Sequence, residues 1–186
     1  GMAYLNGYDF KKEDEERGRM MIEASASSGC PIAVAYCHFH GWNGLEEDEK
    51  KAFEMFLKIE KEMNGDHWAQ FMLGICYRYG FGTDQDHNKE FEFNTKSAEQ
   101  GNSLAMNNLG SCYYNGIGCD QNFTKAFEWQ EKSAKLGDSS AMFNVGDLYE
   151  EGEGVTKDLN KAKEWYTKAA AQGDKSAQEE LDKLNQ

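Results

Sequence analysis

The amino-acid sequence predicts an all-α fold, a solenoid in which helical hairpins stack side by side, and three observations carry that prediction. Residues 67–102, 103–138 and 139–174 align without a gap at a period of 36 and agree in all three copies at ten columns, the self-similarity of a repeat architecture. The 186-residue chain holds one proline, so long helices are permitted, and nineteen glycines, which punctuate fixed places. A hairpin of this length cannot cover both of its apolar faces alone, so neighbouring units must stack.

Taken in order, residues 1–30 form an amino-terminal segment whose stretch 11–28 resembles a lone second helix packing as a cap, with Arg17, Met21 and Ala26 in the lysine, aromatic and alanine columns. Residues 31–66 are a degenerate unit. Ala33 and Gly65 keep the register, but His38, Gly41 and Glu46 stand where the later copies have Gly, Tyr and Gly; the loop after Gly44 reads two residues short and the second helix, Lys51 to Asp66, two residues long. The three full units follow, and residues 175–186 read as a charged capping helix with Ala177 in register, the whole forming one continuous domain.

The ten columns explain how each full unit turns. They are Ala69/Ala105/Ala141, Gly74/Gly110/Gly146, Tyr77/Tyr113/Tyr149, Gly80/Gly116/Gly152, Gly82/Gly118/Gly154, Lys89/Lys125/Lys161, Glu92/Glu128/Glu164, Lys96/Lys132/Lys168, Ala98/Ala134/Ala170 and Gly101/Gly137/Gly173. A glycine followed by Asn102, Asp138 or Asp174 encodes a helix end and then an N-cap. The third unit predicts a first helix from Ser103 to Asn115, stopped by Gly116, and a second from Phe123 to Leu136. Glycine inside a helix costs about 1 kcal/mol relative to alanine, so Gly74, Gly110 and Gly146 imply close approach of the second helix, with Ala98, Ala134 and Ala170 expected as the complements.

Composition excludes several functions. With 20 Lys+Arg against 33 Asp+Glu the net charge is −13, which repels phosphate backbones and anionic lipid. No nucleic-acid ligand is expected. The chain is 39% hydrophobic and 13% aromatic, enough to bury a core. No apolar run approaches about eighteen residues and no leader pattern opens the chain, so a cytoplasmic protein without a membrane span is expected. The five cysteines, Cys30, Cys37, Cys76, Cys112 and Cys119, form no CxxC and read as reduced thiols. Cys37, His38 and His40 are poorly spaced for zinc and have no second pair, so no metal is expected. No SxxK, GxSxG, HExxH, GxGxxG or P-loop occurs, the acidic runs Glu13 to Glu16 and Glu46 to Glu49 read as helix-start charge, and neither catalysis nor a cofactor is expected.

The stretches from Leu109 to Gly118 and from Lys161 to Ala170, completed by Gly152-Glu153-Gly154-Val155, resemble the LGxxYxxGxGV and KAxxWYxKAA signatures of the Sel-1-like repeat, a relative of the tetratricopeptide repeat. The resemblance covers roughly residues 31 to 186. It implies a right-handed solenoid that binds other proteins as an adaptor or scaffold, with first helices lining the concave face. Carried position by position, it implies partner contacts from Ile32, Tyr36, Phe39, Trp42 and Asn43 in the first repeat, and from Trp68, Phe71, Met72, Ile75, Arg78 and Tyr79 in the second. The third repeat contributes Leu104, Asn107, Asn108, Ser111, Tyr114 and Asn115, and the fourth Ser140, Phe143, Asn144, Asp147, Glu150 and Glu151.

That set is aromatic at one end, amide-rich in the middle and acidic at the other. Asparagine carboxamides can bond an extended backbone while aromatic side chains hold an apolar anchor. The expected ligand is therefore a protein or peptide segment with a hydrophobic anchor and a basic flank. Packing of Phe71, Met72 and Ile75 against neighbouring repeats is the structural alternative for those three. Two other readings remain: a structural segment of a larger assembly that uses convex or end surfaces, and a hydrolase like the secreted cysteine-rich members of the family linked to β-lactam hydrolysis, whose paired cysteines this sequence lacks. Nothing in the sequence fixes the oligomeric state.

Overall fold

A computed structural model of the chain describes residues 12–185. Residues 1–11, and the side chains of Arg17 and the acidic residues at 13–15 on which part of the amino-terminal reading rests, lie outside the described residues. The described residues contain ten α-helices and no strand. They are α1 (Lys12–Ser27), α2 (Pro31–His40), α3 (Glu49–Glu62), α4 (His67–Tyr79), α5 (His87–Glu99), α6 (Ser103–Asn115), α7 (Phe123–Lys135), α8 (Ser139–Glu151), α9 (Leu159–Ala171) and α10 (Lys175–Leu184). They fall into two compact units, one ending at Asn102 and the other beginning at Ser103.

In both units each helix packs on its sequence neighbours, which is how hairpins that cannot close alone acquire a core. The helix starts follow from capping. Asp66, Asp138 and Asp174 each accept the backbone N–H three residues on, at 2.9, 2.8 and 3.0 Å, satisfying one orphan donor of the first turn. The hairpin loops are pinned by the tyrosine column: the N–H groups of Asp86, Asn122 and Asp158 donate to the carbonyls of Tyr77, Tyr113 and Tyr149 at 2.9, 2.8 and 2.9 Å.

The recurring lysine columns gain a physical role. Lys89, Lys125 and Lys161 sit 4.8, 5.1 and 5.1 Å from the ring centroids of Tyr77, Tyr113 and Tyr149, so the two columns form cation–π pairs of about 0.5–1 kcal/mol each. Lys132 and Lys168 do the same over Trp129 and Trp165, at 3.9 and 4.0 Å. Serines on the second helices tie the α4–α5 and α6–α7 hairpins at their other end: Ser97 Oγ donates to the His67 carbonyl at 2.6 Å and Ser133 Oγ to that of Ser103 at 2.8 Å.

Two expectations are corrected, and one helix departs from the period. The complements of the helix glycines are not Ala98, Ala134 and Ala170 but the residues four positions earlier. A Cβ at Gly74 would lie 2.8 Å from Asn94 Oδ1, at Gly110 2.7 Å from Gln130 Cγ, and at Gly146 2.6 Å from Tyr166 Cδ1. Larger side chains fill the notch left by the missing Cβ. Second, α3 runs Glu49–Glu62 instead of Lys51 to Asp66, because Asp48 caps it by accepting from the Lys51 N–H at 2.9 Å. The departing helix, α2, has ten residues where α4, α6 and α8 have thirteen. Gly41, at φ 65°, takes the left-handed C-cap position that Gly80 and Gly152 take in later repeats, and the following loop is held by the Asp48 N–H donating to the His38 carbonyl at 2.8 Å.

Candidate functional site

The first helices carry the expected partner-facing residues, and each unit supplies its own face. In the first unit, Trp68, Met72, Ile75 and Tyr79 share one stripe of α4, because steps of four, three and four residues return to the same side of a helix. The two ends of the stripe are open, with Trp68 45% and Tyr79 39% exposed. They stand about 16 Å apart along the axis. The middle is closed: Met72 is buried, as is Phe71, whose ring meets Trp68 edge-on at 6.0 Å. Ile75 is half-buried.

Several residues of this face are engaged inside the fold instead of being presented. Phe39 is buried against Phe56 and Phe81. Arg78 Nε lies 2.5 Å from Glu90, a fully buried carboxylate that also meets His87 Nδ1 at 2.8 Å. A buried carboxylate requires such partners, so Arg78 serves the interior of the α4–α5 hairpin. Shortening of α2 puts Trp42 and Asn43 beyond the helix. Trp42 stacks on His40 at 4.7 Å, with Tyr36 also against it at 5.7 Å. Burial pushes the His40 imidazole down to about 4 and the Tyr36 phenol up to about 12, so both are neutral at physiological pH. Cys37 is buried as well. Among the described residues, no three His, Cys, Asp or Glu side chains converge as a metal site, and the five cysteines are free thiols.

The second unit gathers its face into one connected structure between α6 and α8. Asn144 Nδ2 donates to Asn107 Oδ1 at 3.1 Å, joining the two helices. Ser111 Oγ donates to the Asn107 carbonyl at 3.1 Å, and Asn115 Nδ2 to the Ser111 carbonyl at 2.9 Å. Beneath them, Gln130 on α7 donates from Nε2 to the Asn107 carbonyl at 3.1 Å and to Ser111 Oγ at 3.3 Å. A shallow pocket of about 190 Å³ opens above, lined by Ser111, Tyr114, Asn115, Gln130, Asn144 and Asp147 together with Ala126 and Leu148. Leu104 and Asn108 lie half-buried on α6, and Phe143 packs inward against Tyr166 at 5.6 Å.

Sequence reasoning missed Gln130 and Tyr166 as members of this site, since both lie on second helices and belong to the column that fills the glycine notch. Tyr166 is fully buried, and its hydroxyl approaches Asp147 Oδ1 at 2.6 Å and Glu150 Oε2 at 2.8 Å. One phenolic proton serves two carboxylates. Burial and those acids hold the Tyr166 hydroxyl well above the ordinary phenol range, so it stays a donor. Burial, only partly offset by that hydrogen bond, and the neighbouring Glu150, Glu180 and Glu151 push the Asp147 carboxyl up to about 6.

Asp147 therefore holds its proton more tightly folded than unfolded, where about 3.9 is usual. Its ionisation takes away stability as pH rises from about 4 to about 6, and the loss is complete above that window. Asp147→Asn keeps an acceptor for Tyr166 and removes the charge. It is expected to raise stability at pH 7.5 by about 1 kcal/mol, a figure reduced for solvent screening at a partly exposed carboxylate. At pH 4 the two proteins should unfold together. Urea titrations at both pH values read the difference, and equal midpoints at pH 7.5 would refute it.

Comparison with known proteins agrees with this architecture. The Sel1 repeat pattern matches residues 1–30, 32–59, 69–102, 103–138 and 139–174. The crystal structure of a Sel1 repeat protein from Oxalobacter formigenes is similar with a TM-score of 0.76 and 33% identity, the match covering 83% of this chain and 62% of that one. That of c5321, a protective antigen of uropathogenic Escherichia coli with an SLR fold, gives 0.74 and 30%, covering 86% and 34%. DAP3-binding cell death enhancer 1 of Rattus norvegicus is 30% identical over 93 residues, and the match spans 50% of this chain but 18% of the rat protein. No described helix is long and apolar enough to cross a membrane. An all-helical chain matched along most of its length by one repeat pattern, with neighbours of the same α-solenoid type, is a member of the Sel1 repeat family, whose proteins generally mediate protein–protein interaction and are typically non-catalytic scaffolds.

Proposed function

We propose that this protein is a non-catalytic adaptor that binds partner-protein segments on the first-helix face of each unit, the α4 face taking an apolar anchor and the α6–α8 face a basic residue. One observation carries the reading. Among the described residues the exposed aromatic side chains are Trp68, Tyr79 and Tyr114, and all three sit on first helices at positions where this repeat type presents side chains to partners. Exposed Trp and Tyr are the residues most often found to dominate binding energy. Supporting it, the acidic Asp147, Glu150 and Glu151 on α8 complement a cation, and the net charge of −13 favours a basic partner over an acidic one.

The test is selection of short peptides from a random library on the immobilised chain, followed by affinity measurement on Trp68→Ala and Tyr79→Ala proteins of unchanged circular dichroism. Selected peptides should carry an aromatic or aliphatic residue and a basic one. Each substitution should weaken binding about tenfold or more, and binding should weaken further as ionic strength rises. Peptides held equally by wild type and both variants would refute the α4 anchor.

A further inference from the structure

The side-chain donors of the α6–α8 pocket are largely engaged by the protein itself, Asn115 and Asn144 each keeping one further N–H. Gln130 Nε2, Ser111 Oγ, Asn115 Nδ2 and Asn144 Nδ2 all point to acceptors on α6, and the Tyr114 hydroxyl donates to Glu153. The buried polar atom left unanswered there is an acceptor. Gln130 is 3% exposed and lines the pocket, yet its Oε1 has no hydrogen-bond partner. A buried carbonyl oxygen left in that state is costly, and a donor entering the adjacent opening would answer it. Asp147 lines the same pocket with a carboxylate that burial and Glu150, Glu151 and Glu180 make unfavourable to ionise. Tyr114, 38% exposed, supplies an aromatic wall braced edge-on by Phe123 at 5.2 Å.

We propose that this pocket is a receptor site for one arginine side chain of the bound segment, its guanidinium bonding Gln130 Oε1 and the Asp147 carboxylate while its plane rests on the Tyr114 ring. A guanidinium fits better than an ammonium. It is planar, carries five N–H donors spread across its edges, sheds water readily and stacks on aromatic faces, whereas lysine offers a compact and strongly hydrated charge. A neutral donor would satisfy Gln130 but not relieve Asp147. The charges that face the site from the packed elements are predominantly acidic: Glu150 and Glu151 on α8, Glu153 in the following loop and Glu180 on α10, the last ion-paired to Lys183 at 2.7 Å, with Tyr166 on α9 neutral. The bound cation favours the ionised Asp147, so affinity should fall as pH drops through about 6.

The inference rests on the reading that the α6–α8 face binds a partner segment, and the experiment separates the two. The full chain is titrated at pH 7.5 with Nα-acetyl-arginine amide, its lysine counterpart and the neutral isostere Nα-acetyl-citrulline amide, followed by amide nitrogen–proton NMR. Arginine should give saturable shifts at the Gln130 and Asn144 side-chain amides. Lysine and citrulline should bind at least fivefold more weakly, Asp147→Asn should weaken arginine at least fivefold, and pH 5 should do the same to wild type. Equal binding of citrulline or lysine, shifts centred elsewhere, no saturable shift, or an unaffected Asp147→Asn protein would overturn the proposal. Library peptides that bind wild type and Asp147→Asn equally would end the arginine site and leave the adaptor reading standing; acetyl-arginine amide held by a chain that selects no peptide would do the reverse.

Discussion

Gly154→Ala is expected to be among the most damaging single-methyl additions in this protein, costing about 3 kcal/mol or more. Gly154 lies in the α8–α9 loop at φ 70°, a left-handed conformation that strains any residue with a Cβ. A Cβ there would also overlap the Phe123 carbonyl and come within 2.7 Å of Thr124 N. Those atoms are backbone at the start of α7, and they cannot swing away as a side-chain tip can. The loop of one repeat is thus seated on the second helix of the repeat before it, so the substitution strikes the joint on which stacking depends. Gly137→Ala is the control: it shares a positive φ, 100°, but its Cβ would meet nothing within 4 Å. It should cost about 1–2 kcal/mol from backbone strain alone. Urea unfolding of both variants measures the gap, and equal losses would show that the seat on α7 is unimportant.

Gly146→Ala is the second large effect, and it tests the corrected glycine notch. Gly146 has helical backbone, so propensity alone would favour alanine by about 1 kcal/mol. Against this, the new Cβ would lie 2.6 Å from Tyr166 Cδ1. That ring is fully buried and its hydroxyl is fixed by Asp147 and Glu150, so it has nowhere to move. A net loss of about 2 kcal/mol is expected, since overpacking costs about 1–3 kcal/mol. Gly110→Ala should cost less, because its obstacle is the flexible Gln130 side chain. In a Tyr166→Gln background the Gly146→Ala penalty should largely vanish, giving a coupling energy of about 2 kcal/mol in a double-mutant cycle. An additive cycle would mean that the notch and the ring do not meet.

Much of the fold was legible because the determinants are local. Helix α6 runs from Ser103 to Asn115 as read, and Phe123 opens α7, because a cap aspartate or asparagine and a C-terminal glycine act within a few residues of themselves. The lost turn of α2 was visible only as an anomaly, glycine at 41 where the period has tyrosine, and the sequence offered no way to choose between a defective helix and a shortened one. The candidate site was legible to a lesser depth. Similarity of repeats placed Asn107, Asn144 and Asp147 on first helices, but whether a residue on such a stripe is covered depends on neighbours that the helical period does not name. Phe71 and Met72 share a helix with Trp68 and Tyr79 and are buried, while the latter two are exposed.

The sequence by itself determined the repeat period, the helix order, the caps and the acidic character, since each follows from residue type and spacing along the chain. Only the tertiary structure decided what faces what: that Asn94, Gln130 and Tyr166 fill the glycine notches, that Arg78 is drawn to Glu90, and that Asp147 sits over a buried hydroxyl beside an unanswered carbonyl oxygen. These are contacts between different helices, where the volume and polarity of the facing side chains select the partner, and a one-dimensional period carries no record of that choice.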